Sequence, residues 1–292
     1  MDTTKLATNV ARINLVNNFI LAISKTTIGY FAHSSALLND GINNMGDTLS
    51  SIIAMIGISA ASRKADEDHP YGHERLECVA AILLSGIIMF VAIALFGSGL
   101  SAIIKKSYLT TPVPTFLAVI ASIASIIIKA VMYLYTRWAG KKAHSPALMA
   151  SAGDSLSDVL ATTGGLIGII FARMGYPIGD AIAAVIIALF IFRVGVEIFK
   201  DGMNQMVDRA CEESFVTEIK DLIETQKGVL RVDLLRTRQF GSRCYVDVEI
   251  AAEPTQPLTD AHTIAERVHD TIEATFPMVK HCMVHVNPYK QR

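Results

Sequence analysis

The residues able to do chemistry sit where the surrounding sequence is least suited to them. The chain is 51% hydrophobic and only 18% charged. Inside one of its apolar stretches runs Ser34-Ser35-Ala36-Leu37-Leu38-Asn39-Asp40-Gly41-Ile42-Asn43-Asn44-Met45-Gly46-Asp47. On a helix, Asn43 and Asp47 at i, i+4 share one face, with Asp40 in line a turn earlier. Asp154 and Asp158 repeat that spacing in a second apolar stretch. A carboxylate at the centre of a membrane helix costs roughly 2.5–3.5 kcal/mol on insertion scales. Three of them require a partner, and a divalent cation supplies one. The plainer alternative is a hydrogen-bonded network joining two helices, but three carboxylates and an amide at one depth exceed what packing needs.

Other polar residues in these stretches have less specific readings. Asp40 fits a helix cap or an ion guide, and Asp180 at the start of a later helix suits the helix dipole. Asn17, Asn18, Lys25 and Lys129 could line a wet cavity, although Lys129 could equally extend its ammonium towards the cytoplasm. Gly164, Gly165 and Gly168 read as close helix-packing positions.

The elements that must position these groups follow from length. Apolar runs near 10–32, 36–62, 76–104, 113–138, 146–173 and 178–202 are each long enough to cross a bilayer, which takes about 20 residues. Six spans put both termini on the same side. Lys5, Arg12, Arg63, Lys64, Arg75, Arg137, Lys141 and Lys142 fall on that side, against Lys105, Lys106 and Arg173 on the other, so the termini are expected in the cytoplasm. Asp47 then lies roughly 16 Å from the outer end of its helix, and Asp154 and Asp158 roughly 12–18 Å from the inner end of theirs. Both pairs reach the midplane, where two antiparallel helices could surround one ion.

After Gln205 the pattern changes. Helical periodicity over 212–226 and 258–275, and strand alternation over 229–238, 243–251 and 279–287, predict an αββαβ unit with a three-stranded sheet. Cys244, Val246, Val248 and Ile250 form an apolar face, while Asp233, Glu249 and His285 gather on the polar one with His262 on the nearby helix, a second candidate metal site. The connecting segment Asp66-Glu67-Asp68-His69-Pro70-Tyr71-Gly72-His73 mixes acids and imidazoles at a spacing that can hold a cation, or is an ordinary solvated loop. A net charge of −1 offers nothing to nucleic acid, and the four cysteines, without CxxC spacing, read as reduced filler. Met1 to Lys5 is not expected to open a cleavable leader.

The ordered runs SSALLNDGINNMGDTLSS, HPYGHERLE, SAGDSLSDVLAT and LLRTR, with a terminal PYK, resemble the cation diffusion facilitator family over nearly the whole chain. The resemblance implies a six-helix membrane domain over 1–205 and a cytoplasmic ferredoxin-like dimerisation domain over 206–292. It implies a homodimer that exports divalent metal in exchange for protons, with no resident cofactor and no enzyme activity. The family's four transport positions read here Asn43, Asp47, Asp154 and Asp158. Zinc-transporting relatives carry histidine where this chain has Asp154, and the Asn-Asp-Asp-Asp set resembles the manganese branch. The family's loop site falls on Asp66, His69 and His73. Its cytoplasmic site falls on Asp233, Glu249, His262, His285 and Asn287, and its charge pair at the membrane boundary on Arg75 and Asp208.

The expected activity is therefore Mn²⁺/H⁺ antiport at the cell membrane. Hard oxygen donors support it independently, since they suit Mn²⁺ better than the Zn²⁺ that imidazole favours. The alternatives are export of Zn²⁺, Fe²⁺ or Cd²⁺ by the same architecture, a metal sensor that does not transport, and an intramembrane aspartyl protease. The protease needs a Gly-x-Gly-Asp context that Ser151-Ala152-Gly153-Asp154 does not supply.

Overall fold

The computed structural model describes residues 3–31, 35–106, 116–174, 176 and 178–290. The side chains of residues 35–43, among them Asp40 and Asn43, lie outside the described residues, as do those of Lys25, Gly165, Gly168 and Asp180. Two compact units divide the chain, Met1–Met203 and Asn204–Arg292.

The first unit holds the helices α1 (Thr3–Phe31), α2 (Ser35–Ala61), α3 (Arg75–Lys105), α4 (Phe116–Ala143), α5 (Pro146–Arg173) and α6, which runs Ile178–Met206. At 27 to 31 residues each they reach roughly 40 Å, enough to cross a hydrocarbon core of about 30 Å. By apolar length alone, Lys5–Ser24 and Arg75–Lys105 qualify as spans among the described residues. Outward positions on α3 and α4 are as apolar as inward ones: Leu83, Phe90, Ile93, Ile127 and Leu134 are all exposed. That arrangement suits helices surrounded by lipid rather than water.

Small residues let the helices approach closely. One core cluster joins Ala7, Val10 and Ala11 of α1 to Ile58, Ala80, Ala139, Ala143, Ala147 and Leu148. A Cβ added at Gly57 of α2 would lie 2.3 Å from the Ala80 Cβ of α3, so that contact exists only because Gly57 has none. Gly164 of α5 meets Ile187 of α6 in the same way, consistent with its expected packing role. Helix α4 runs several residues past the expected end of its apolar stretch, so Lys141 and Lys142 are helical and only His144 (φ 50) and Ser145 separate α4 from α5. Helix α1 likewise starts at Thr3, ahead of the apolar run, because Thr3 to Asn9 contain no helix breaker.

The second unit follows the order α7 (Glu213–Glu224), β1 (Arg231–Phe240), β2 (Arg243–Ala252), α8 (Leu258–Thr275) and β3 (Val279–Pro288). Strands β1 and β2 form an antiparallel hairpin turned at Gly241 (φ 55), and β2 pairs with β3 in parallel. Parallel pairing requires a crossover, which α8 supplies. Cys244, Val246, Val248 and Ile250 pack on Ile219, Ile223, Ile264, Val268 and Ile272 of the two helices, all within 7% exposure. The αββαβ order and three-stranded sheet expected from alternation are those observed. A register shift between Val232 and Leu234 leaves Asp233 as the extra residue of a bulge, a device that re-aims a side chain. All four cysteines are buried free thiols.

The contact at Gly57 can be tested directly. Gly57→Ala should force α2 from α3 and lower the unfolding temperature of the purified chain in detergent, at a cost of about 1–3 kcal/mol. Adding Ala80→Gly removes the opposing methyl and should restore most of the loss. A pair as unstable as the single variant would show that the close approach does not matter.

Candidate metal centre

Four helices contribute to one buried polar point. Lys129 of α4 is 4% exposed. Its Nζ donates to Asp47 Oδ2 of α2 at 2.6 Å, to Asp158 Oδ2 of α5 at 2.7 Å and to Asn18 Oδ1 of α1 at 3.0 Å. Asn18 is fixed from behind, its amide donating to Ser51 Oγ at 2.8 Å and to the Asp47 carbonyl at 3.3 Å. The carbonyl end of its side chain is thereby turned to the ammonium. Asp154, one turn before Asp158 on α5, accepts from the Ser50 hydroxyl and interacts electrostatically with Asp47, Asp158 and Lys129. The Asp158 side chain is 31% exposed against 13% for Asp47, so the cluster opens on the Asp158 side.

The neighbouring polar groups orient this point. Asn14, a turn before Asn18, donates to Thr136 Oγ1 at 2.9 Å and Ser151 Oγ at 3.4 Å and accepts from the Tyr135 hydroxyl, tying α1 to α4 and α5. The hydroxyls of Thr48, Ser155 and Ser157 fold back onto carbonyls four residues earlier, which satisfies them without using the carboxylates. At the start of α5, Ser145 Oγ donates to Glu77 Oε1 of α3 and accepts the Leu148 N–H at 3.2 Å. That cap sets the register of the helix bearing Asp154 and Asp158.

Ionised, the three carboxylates and Lys129 sum to −2, the charge a divalent cation cancels. The structure brings Asp47, Asp154 and Asp158 into this cluster, while the Asn43 side chain lies outside what the structure describes. The extended pose of Lys129 towards the cytoplasm is overturned by its 4% exposure and by its bonds to Asp47 and Asp158. Two carboxylates at its own depth attract the ammonium more strongly than water a helix half-length away. Sequence alone underrated it because a lysine in an apolar run has no visible partner until the helices pack.

The segment between α2 and α3 gathers its three expected residues. Asp66 Oδ1 lies 3.1 Å from His69 Nδ1, and Asp66 Oδ2 lies 3.4 Å from His73 Nε2. His73 Nδ1 faces the Lys64 carbonyl at 3.2 Å, which turns Nε2 to the Asp66 carboxylate. The His69 backbone N–H, followed by the two imidazoles, holds the Asp66 carboxyl below the usual carboxylate range. In the second unit Asn287 Nδ2 donates to Glu249 Oε2 at 3.1 Å and reaches Asp233 Oδ2 at 3.4 Å, while Arg231 Nε bonds Asp233 Oδ1 at 2.6 Å. His285 pairs with Glu249 in register across β2 and β3. His262 is brought instead to Glu266, a turn along α8, at 3.3 Å. Arg75 opens α3, and Asp208 sits at φ 61 in the turn after α6.

Residues 11–207 match the family model described as the cation efflux transmembrane domain, and residues 211–289 match that of the cation efflux protein cytoplasmic domain. The chain is 28% identical to the manganese efflux system protein MneP of Bacillus subtilis (strain 168), over 98% of this chain and 97% of that one. It is 30% identical to the manganese efflux system protein MneS of the same organism, over 100% and 99%. A nickel form of a MamM C-terminal-domain variant superposes at 23% identity and a TM-score of 0.27, covering 27% of this chain and all of that one.

Removing the ammonium has a defined expectation. Lys129→Met leaves Asp47 and Asp158 buried without their cation and should destabilise the metal-free chain by about 3–5 kcal/mol. Mn²⁺ should then raise its unfolding temperature by more than it raises that of the parent. Thermal unfolding of the purified chain with and without MnCl₂ measures both. Equal behaviour of the two proteins would mean that Lys129 does not balance the carboxylates.

Proposed function

The chain belongs to the cation efflux family, the cation diffusion facilitators, and from that premise we propose that it exports Mn²⁺ from the cytoplasm in exchange for protons. The observation that carries the reading is the convergence of Asp47 from α2 and Asp158 from α5 on one cationic nitrogen, at 2.6 and 2.7 Å. Carboxylates that share an ammonium can share a metal ion. The transport ligands are Asn43, Asp47, Asp154 and Asp158, an all-oxygen set when Asn43 offers its carbonyl. Oxygen donors with room for water suit octahedral Mn²⁺, while Mg²⁺ dehydrates reluctantly. The relatives named for manganese efflux point to the same ion.

In this mechanism Lys129 is a tethered competitor. Entering metal displaces its ammonium from Asp47 and Asp158, and departing metal lets it return, so those carboxylates are never left without a cation between them. Alternating access exposes the site to each side in turn. On the outer side protons compete with metal for the same carboxylates, which couples the two flows. The protein works as a homodimer in the cell membrane with both termini cytoplasmic, its contacts supplied by the 206–292 domain. Asp66, His69 and His73 form an accessory loop site. Asp233, Glu249, His285 and Asn287 form a cytoplasmic metal site that steadies the dimer.

Competitive flux of Mn²⁺ and Zn²⁺ in the same proteoliposomes tests the reading. Asp47→Ala and Asp158→Ala should each abolish transport. Asp154→His adds a borderline nitrogen donor and should shift the Mn²⁺-to-Zn²⁺ ratio at least several-fold towards Zn²⁺. Normal flux in Asp47→Ala would remove the quartet as the transport site, and an unchanged ratio in Asp154→His would put selectivity elsewhere.

Proton exchange has its own measurement. Acidifying the external solution supplies the exchange partner and should speed Mn²⁺ export, and an uncoupler should collapse the increase. Flux indifferent to both would exclude antiport.

A further inference from the structure

A second group of metal-ligating side chains lies in the cytoplasmic unit, away from every residue assigned above. Helix α8 carries His269 and Glu273 one turn apart, and β3 carries His281 at its start. The possible ligand atoms of all three fall within 4.8 Å of one another. Glu273 Oε1 lies 3.3 Å from His269 Nε2 and 3.1 Å from His281 Nδ1. Two ligands bound tetrahedrally at 2.0–2.1 Å sit about 3.3 Å apart, so both spacings fit the edge of one coordination shell.

The backbone preorganises the group. His269 Nδ1 is 2.7 Å from the Cys282 carbonyl. A carbonyl only accepts, so Nδ1 carries a proton there, and Nε2 is the nitrogen turned towards Glu273, the one a metal ion would take in place of a proton. This is the arrangement in which metal-binding histidines are held, the far ring nitrogen donating to a fixed acceptor. Glu273 Oε1 accepts the Cys282 N–H at 3.0 Å, which locks the carboxylate in turn. The side chains of His269 and Glu273 are 32% and 31% exposed, and that of His281 45%, so an ion and its water can enter. The Cys282 thiol is no competing ligand: it is buried in the core on the opposite face of β3.

We propose that His269, Glu273 and His281 form a binding site for a borderline transition-metal cation, Zn²⁺ before Mn²⁺, that clamps the end of α8 to the start of β3. Two imidazole nitrogens and one carboxylate oxygen favour Zn²⁺ over Mn²⁺ by donor type and by the general order of divalent affinities. The site lies apart from the Asp233, Glu249 and Asn287 group, because His281 and Asn287 are six residues apart on β3, about 20 Å at 3.3 Å per residue. The cytoplasmic unit would thus sense a metal other than the one proposed as cargo.

The test uses the full purified chain carrying Asp47→Ala and Asp158→Ala, which removes the transport ligands from the count. Equilibrium dialysis against ZnCl₂ should show one fewer Zn²⁺ per chain after His269→Gln with His281→Gln, with affinity for that ion reduced at least tenfold by Glu273→Gln alone. Co²⁺ loaded in place of Zn²⁺ should give the intense visible absorption of a tetrahedral nitrogen-and-oxygen site in the parent and lose it in the double-Gln variant. Matching unfolding temperatures in EDTA establish that the variants are folded, and a variant that fails this control is replaced by His281→Gln alone. Unchanged Zn²⁺ stoichiometry together with an unchanged Co²⁺ spectrum would overturn the site.

Discussion

The structure depends on one ammonium group shared by two carboxylates inside a helical bundle. Without Lys129, α2 and α5 would bring Asp47 and Asp158 together with no cation between them, and mutual repulsion would push the helices apart. With it, the pair becomes an attraction that holds α2, α4 and α5 at one level, and Asn18 adds α1. The arrangement also sets the charge at the point of contact. Three carboxylates alone would be left at −1 by a divalent ion, whereas the same three with Lys129 are left at zero. Buried charge is tolerated only when balanced, so a lysine here tunes the bundle to ions of charge two.

The fold was legible where periodicity reports burial directly. In β2, Cys244, Val246, Val248 and Ile250 alternate with polar residues and are the residues that pack on α7 and α8. The long apolar runs likewise correspond to α1–α6, with differences at their ends because alanine, lysine and threonine carry a helix beyond its hydrophobic part. The bulge at Asp233 was not legible, since an extra residue in a strand leaves no mark in an alternating pattern when the neighbouring positions are leucine and valine.

The candidate sites were legible only in part. Spacing marks Asp47, Asp154 and Asp158 because i, i+4 carboxylates in apolar sequence have no other use. It could not mark the role of Lys129, whose partners lie 82 and 29 residues away. The group at His269, Glu273 and His281 escaped notice for a related reason. His269 and Glu273 look like a surface pair on α8, and only the path of the chain through Phe276 and Met278 brings His281 back beside them. An i, i+4 His-Glu pair followed by a histidine just beyond a tight turn is the signal that was available.

The two-residue connection at His144 and Ser145 bears on how such a protein could move. Helices α4 and α5 form a tight hairpin with little slack, and Ser145 is pinned to Glu77. Lys129 and Asp158 therefore sit on the two arms of one hairpin, and Asp47 reaches them from α2. Of the two ion pairs at the centre, Lys129–Asp158 lies within one hairpin, and Lys129–Asp47 is the one that ties this hairpin to α2.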